Sequence, residues 1–198
     1  MINKDLSYVR VGRGLGEFPA DNESKMFVVA NGFQEFELSQ FEYTVWEQIH
    51  RYETLAAWES AILQKLKNIP NFDFSKIVRR LIERNLIMPW SFSDMHDKNL
   101  INLQVTRYGY AHGLINEEYL IGDSNANKTF VFTKDQYDVW NAAAGKVMLL
   151  EVIDTLMDQR GINFETAISL FNIHGLKLYK LTLWGLEYVN ADQLEVQA

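Results

Sequence analysis

The pattern of apolar and polar positions first becomes regular at residues 26–38, MFVVANGFQEFEL, where two β-prone runs flank Asn31-Gly32. Both central positions of a two-residue hairpin turn require a positive φ, which Asn and Gly tolerate best. The pattern therefore predicts a β-hairpin with Asn31-Gly32 as its turn. The stretch EYLIGDSNANKTFVF at residues 118–132 predicts a second hairpin, whose turn is longer by two residues.

A further β-prone run precedes each hairpin, at residues 7–14 and 102–109. Each half of the chain is therefore predicted to open with about three short antiparallel strands. A cluster of glycines, VGRGLGEF, overlaps the end of the first run. Its spacing matches neither of the phosphate-binding loop patterns, and we interpret it as a turn. The glycines concerned are Gly12, Gly14 and Gly16.

Each hairpin is followed by a helix that begins with the same capping signal. Ser39 and Glu42 carry it in the first half, and Thr133 and Gln136 carry it in the second. Apolar residues then recur at helical spacing, which predicts one buried face for each helix. These residues are Phe41, Val45, Trp46 and Ile49 in the first half, and Tyr137, Trp140 and Ala144 in the second.

One segment of the chain is written twice, as FELSQFEYTVW at residues 36–46 and as FVFTKDQYDVW at residues 130–140. A repeat at about half the chain length favours two domains of similar build. We expect the repeated tryptophan to anchor each core. The residues that recur at a constant offset of 94 are Phe36, Tyr43, Val45 and Trp46, matched by Phe130, Tyr137, Val139 and Trp140.

The remainder of each half continues as helices. Thr54 caps a predicted second helix, LAAWESAILQKL, whose partner is predicted over residues 146–160. A third helix is predicted over residues 74–87, FSKIVRRLIERNLI. In the second half, INFETAISLFNIHG is interpreted as a segment that intervenes before the third helix. Leu181–Leu186 is then matched to Leu81–Leu86.

Strands, three helices and a closing strand, written twice, predict an α+β fold of two tandem winged-helix-like repeats. Each repeat is a small antiparallel sheet with three or more helices. The predicted domains are residues 1–92 and 102–190. A linker at residues 93–101 joins them, and a flexible tail follows at residues 191–198.

This arrangement resembles the winged-helix, peptide-binding domain of pyrroloquinoline quinone biosynthesis, which also serves as the precursor-recognition element of modified-peptide pathways. The family pattern is present at Leu38, Val45, Trp46, Thr54, Leu81 and Leu86 in the first repeat, and at Phe132, Val139, Trp140 and Gly145 in the second. Arg51 stands where the family has glycine, and Met148 where it has threonine. The resemblance implies a winged-helix fold and a peptide or protein partner.

Composition narrows the range of functions. The net charge is −7, with 12 Lys and Arg against 14 Asp and Glu up to residue 100, and 7 against 12 beyond it. This balance disfavours broad nonspecific binding to nucleic acid. The absence of cysteine excludes thiolate chemistry and suits a reducing compartment, and no segment is apolar enough to cross a bilayer. We therefore predict a cytoplasmic protein that has no membrane partner.

Signatures of catalysis or metal binding are missing from the sequence. Asp94, His96 and Asp97 lie close together in the predicted linker, but such neighbours rarely converge on one ion without further ligands. The other histidines lack metal-binding spacing, and no nucleophilic serine motif occurs. We predict a protein that is not an enzyme, with no catalytic residues, no cofactor and no metal.

A basic stripe on the third helix is the most distinctive exposed feature. Lys76, Arg80 and Arg84 recur at every fourth position, and Arg79 lies beside them. In a DNA-binding winged helix, this helix enters the major groove. On a solvated helix, the same charges simply complement the helix dipole. They can also pair with acidic residues of a bound peptide.

We predict a peptide- or protein-binding adaptor whose partner docks against an edge strand of either sheet and the groove beside the third helix. The first half is preferred, with the peptide at residues 7–12 and 76–86, because its hairpin is short and its third helix carries Arg80 and Arg84. Lys76, Arg79, Arg80 and Arg84 are the predicted partner-binding residues. The alternative hypothesis is a DNA-binding transcriptional regulator that places residues 74–87 on duplex DNA. A homodimer is a further arrangement that the sequence leaves open.

Overall fold

The chain forms two compact units, Met1–Ser91 and Phe92–Ala198, which we call the first and the second unit. Its class is α+β, as predicted, because helices combine with small antiparallel sheets of two or three strands. The predicted tail, residues 191–198, lies outside the described residues. The computed structural model describes residues 2–19, 25–66, 72–123 and 127–189.

In the first unit, strands and helices alternate around one core. Its central three-stranded sheet has the order β2-β3-β4, and a separate two-stranded sheet pairs β1 with β5. The elements are β1 (Tyr8–Arg10), β2 (Arg13–Pro19), β3 (Lys25–Asn31), β4 (Gln34–Ser39), α1 (Gln40–Gln48), a 3-10 turn (Ile49–Arg51), α2 (Leu55–Lys65), α3 (Phe74–Glu83) and β5 (Ile87–Pro89).

The predicted strand over residues 7–14 is broken in the structure at Gly12. This residue has a φ of 98°, and a Cβ there would lie 2.6 Å from the Ala30 carbonyl oxygen, so only glycine fits. The chain therefore leaves one sheet after Arg10 and enters the other at Arg13. The interpretation of the glycine cluster as a turn was wrong for Gly14 and Gly16, which lie within β2.

Two further predictions for the first unit need correction. Asn31 is the last residue of β3 and pairs with Gln34, so the turn consists of Gly32, at a φ of 63°, and Phe33. The third helix ends at Glu83 rather than at residue 87. Its chain reverses at Asn85, whose φ is 54°, and the following residues pair with β1 because this pairing satisfies their backbone groups.

The second unit has the same kinds of element in a longer chain. Its two three-stranded sheets have the orders β7-β8-β9 and β10-β6-β11. The elements are α4 (Lys98–Asn102), β6 (Leu103–Arg107), β7 (Tyr110–Ile115), β8 (Glu118–Gly122), β9 (Thr129–Phe132), α5 (Lys134–Ala142), β10 (Lys146–Met148), α6 (Leu149–Arg160), α7 (Phe164–Lys180) and β11 (Trp184–Tyr188).

Three segments of the second unit differ from their predictions. The stretch expected as a linker, residues 93–101, includes the start of α4, where Leu100 is fully buried. The helix expected from residue 146 begins at Leu149, because the preceding residues pair with β6. The segment INFETAISLFNIHG supplies the first turns of α7, which is the third helix after the hairpin of this unit.

One tryptophan anchors each core. Both Trp46 and Trp140 are only 2% exposed. The indole Nε1 of Trp46 donates to the Leu86 carbonyl at 3.0 Å, and that of Trp140 donates to the Tyr108 carbonyl at 3.1 Å. Such an acceptor satisfies the buried indole N–H. Each tryptophan therefore links the helix after the hairpin to the strands at the base of its unit.

The surroundings of the two tryptophans also correspond. The guanidinium of Arg10 lies over Trp46 at 5.0 Å, and that of Arg107 lies over Trp140 at 4.2 Å. One turn earlier in each helix, a tyrosine stacks on an aromatic ring of the sheet. These stacked pairs are Phe27 with Tyr43 and Tyr119 with Tyr137.

The C-terminal ends of α3 and α7 correspond at a shift of 97 residues. The amide of Leu86 bonds to the Leu81 carbonyl at 2.8 Å, and the amide of Leu183 bonds to the Leu178 carbonyl at 3.0 Å. The residues before these amides both have a positive φ. Leu81–Leu86 therefore corresponds to Leu178–Leu183, and the match to Leu181–Leu186 was wrong by three residues.

Changing Trp46 or Trp140 to Ala should lower the free energy of unfolding by about 3–5 kcal/mol, because the change opens a cavity in the core. Urea unfolding followed by circular dichroism measures the loss. Phe33, which is 63% exposed at the first hairpin tip, provides the control, and its change to Ala should have an effect within about 0.5 kcal/mol. Unchanged midpoints for both tryptophan variants would contradict the anchoring role.

Candidate partner-binding site

The basic stripe of α3 is partly occupied by contacts within the protein. Arg80 Nη1 donates to Glu42 Oε1 at 3.1 Å, and Glu42 is only 7% exposed. The other oxygen of this carboxylate accepts the backbone amide of Ser39 at 3.0 Å, which completes the capping box of α1. Arg80 therefore neutralises a buried carboxylate that the fold requires.

Arg84 is also directed at the protein. Its Nη1 donates to the backbone carbonyl of Glu37 in β4 at 3.2 Å. Lys76 and Arg79 are exposed, and within the described ranges neither side chain forms a hydrogen bond or an ion pair. The structure thus divides the four predicted partner-binding residues into two that hold the first unit together and two that face solvent.

The second unit does not repeat the stripe. Lys177 corresponds to Arg80, but its neighbours in the series are uncharged. At the shift of 97 residues, the positions of Lys76, Arg79, Arg80 and Arg84 are held by Ile173, Leu176, Lys177 and Leu181. Any function that both units share therefore cannot depend on this stripe.

The outer strands of the two hairpin sheets, β2-β3-β4 and β7-β8-β9, offer four edges to an incoming strand. Two of these edges are interrupted by a β-bulge. The register shifts at Gly16 in β2 and at Gly113 in β7, where φ is 117° and 125°. A bulge breaks the even spacing of the outward backbone groups and bends the edge away from a partner. Strands β2 and β7 are therefore poor templates for pairing.

The edge of β4 is regular but closed. Because hydrogen-bonded and non-bonded pairs alternate along an antiparallel ladder, the closing pair of Asn31 and Gln34 directs the N–H and C=O of Glu37 away from β3. Arg84 occupies that carbonyl, whereas the next outward amide, that of Ser39, is capped by Glu42 as that of Thr133 is capped by Gln136 in the second unit. An added strand would find the Glu37 carbonyl already bonded, which is the feature that distinguishes this edge.

The edge of β9 is regular and open. Asp123 N donates to Lys128 O at 2.9 Å at the closed end of this hairpin, so the same alternation directs the backbone groups of Thr129 and Val131 away from β8. Within the described ranges, no side chain bonds to the backbone of Val131, whose side chain is 53% exposed. This outward edge, Thr129 to Val131, is the candidate site.

Other chemistry is sparse in the described parts of the chain. No group of three or more His, Asp or Glu side chains there is arranged to hold a metal ion, and no helix there is long and apolar enough to cross a membrane. Asp97 caps α4 through the Asn99 amide. Burial lowers the pKa of His50 and of His174, so both rings are neutral at pH 7.

An open depression in the first unit also has its carboxylates engaged. Glu59 pairs with Lys4 at 2.6 Å, and Asp73 accepts the Lys76 amide as the N-cap of α3. These interactions leave little free charge for a ligand. The depression is lined by Glu59, Leu63, Phe72, Asp73, Phe74 and Ser75.

No protein-family model, curated protein or solved structure matches the chain. The site therefore has to be judged from its own geometry. Sequence patterns identified the exposed cations and an edge strand of either sheet, but they favoured the first half over β9, because the signal for an open edge is a register and not a motif. The hairpin alternation at residues 118–132 is the part of the sequence that carries this signal.

The contribution of the basic stripe to the stability of the first unit can be measured. Changing Glu42 to Ala should lower the free energy of unfolding by about 1–2 kcal/mol, because the cap of α1 and the partner of Arg80 are lost together. Changing Lys76 to Ala should have an effect within about 0.5 kcal/mol. Urea unfolding compares the two variants. Equal losses would contradict the division of the stripe.

The variant Glu42→Gln separates the two roles of Glu42. Gln136 provides the equivalent cap in the second unit, where its Oε1 accepts the Thr133 amide at 3.2 Å. Glutamine should therefore keep the cap, lose only the charge interaction with Arg80, and be less destabilising than alanine.

Proposed function

We propose that this protein is a non-enzymatic adaptor that binds a peptide or protein partner through a duplicated winged-helix unit. The corresponding tryptophans, stacked aromatic pairs, edge bulges and helix ends of the two units support the duplication. The absence of cysteine favours a cytoplasmic location. The resemblance to the precursor-recognition element supports a partner that is a peptide segment.

The proposed mode of binding is strand addition to β9 in the second unit. An extended segment of the partner would pair with the outward N–H and C=O of Val131, which supply affinity without regard to sequence. Its side chains would alternate between the two faces of the sheet. The observation that carries this proposal is the regular, unoccupied edge from Thr129 to Val131.

The edge of β9 replaces the site first expected in the first unit. There, residues 7–12 and 76–86 were expected to contact the peptide, but Tyr8–Arg10 already pairs with β5. Of the four cations, Lys76 and Arg79 are exposed and their side chains form no hydrogen bond or ion pair within the described residues, so they are secondary candidates for contact with an acidic partner. DNA binding has less support, because Arg80 and Arg84 are engaged with the protein.

A proline substitution tests the proposal. Because the Val131 N–H is directed away from β8, Val131→Pro removes an outward donor and keeps the ladder to β8. The probe is a fluorescent linear peptide selected on the wild-type protein from a displayed library of random peptides. Val131→Pro should weaken its binding at least tenfold by fluorescence anisotropy. Val131→Thr keeps the backbone donor and should bind within about threefold of the wild type.

Two outcomes would count against strand addition. Equal binding by the proline and threonine variants, both with wild-type unfolding midpoints, would remove β9 from the site. Failure of the library to yield any binder, together with duplex DNA binding that weakens steeply with salt and is lost in a Lys76→Ala/Arg79→Ala variant, would favour the regulator hypothesis.

A further inference from the structure

We propose that Arg84 is the residue that closes the first unit to strand addition, so that the two units have opposite binding competence despite their shared build. This inference rests on the proposed function, since it concerns the same kind of site in the other unit. It assigns to Arg84 a role as an internal competitor of the partner strand rather than as a contact to the partner.

The geometry at the end of α3 supports this role. Arg84 N bonds to Arg80 O at 3.1 Å, which fixes the backbone of Arg84 at the helix end. From there its guanidinium reaches the outward carbonyl of Glu37 at 3.2 Å. A hydrogen bond from a charged donor is stronger than the neutral amide bond that an added strand would offer in its place. A partner strand therefore has to compete with Arg84 for this carbonyl when it pairs with β4.

Among the described residues of the second unit, none acts as such a competitor. Leu181 N bonds to Lys177 O at 3.0 Å, so Leu181 holds the same place at the end of α7 that Arg84 holds at the end of α3. Leucine has no hydrogen-bond donor in its side chain. The carbonyl at the corresponding strand position, Val131, therefore keeps its free acceptor.

The outward strand position carries different side chains in β4 and β9. Glu37 is exposed in β4, whereas Val131 occupies the corresponding place in β9 at the shift of 94 residues. Residues directly opposite each other on neighbouring strands pair best when both are apolar or oppositely charged. We infer that the segment bound by β9 carries a β-branched or aromatic residue opposite Val131. A peptide selected on β9 would be mismatched to Glu37, so a test of Arg84 has to match this position first.

The test counts binding sites for the selected peptide by isothermal titration calorimetry. Glu37→Val alone gives β4 the outward side chain that β9 has. It leaves Arg84 bonded to the carbonyl of residue 37, because that carbonyl belongs to the backbone. This matched control should bind one peptide. Glu37→Val combined with Arg84→Leu should bind two, with affinities within about tenfold of each other.

The reciprocal variant is Leu181→Arg, which should weaken peptide binding at least tenfold by supplying the missing donor to the second edge. Leu181 is half-buried, so the unfolding midpoint of the Leu181→Arg variant is measured as well. If that variant fails to fold, the comparison of Glu37→Val with Glu37→Val/Arg84→Leu decides the role of Arg84. Two sites already present in Glu37→Val, or one site remaining after Arg84→Leu is added in a folded protein, would overturn the role of Arg84. Binding that Val131→Pro leaves intact would instead overturn strand addition itself.

Discussion

In each unit of this protein, one buried indole N–H donates to a backbone carbonyl at the base of the sheet. Trp46 reaches Leu86, and Trp140 reaches Tyr108. The acceptors lie where the first strand of the unit meets the segment after the third helix. One side chain thus links the helix that follows the hairpin to the strands at the base of its unit.

Within this frame, the two units differ at only a few positions that decide access to their edges. Both hairpin sheets have a bulged outer strand and a regular one, and both regular strands lead into a capped helix. The units differ at the end of the third helix after the hairpin, which holds Arg84 in the first unit and Leu181 in the second, and at the outward strand position, which holds Glu37 or Val131. In the proposed account, these surface residues alone restrict binding to one unit.

Local signals predicted much of this fold. The capping boxes at Ser39 and Thr133 and the repeated tryptophans were confirmed, because they depend on neighbours in sequence. The pairing of Tyr8–Arg10 with Ile87–Pro89 was missed, since no local pattern records a partner so far along the chain. The first half was preferred as the binding site for a related reason. Arg84 carries the same charge whether it faces solvent or a carbonyl, and only the fold distinguishes these cases.

Amide hydrogen exchange of the Val131 backbone tests the central claim most directly. In the free protein, Val131 should exchange much faster than Phe130 and Phe132, because its N–H is directed away from β8 while theirs bond to it. Addition of the selected peptide should slow Val131 strongly and leave the amide of Glu37 unchanged. Slow exchange of Val131 in the free protein, or protection of Glu37 in place of Val131 on binding, would contradict an open edge in the second unit and a closed one in the first.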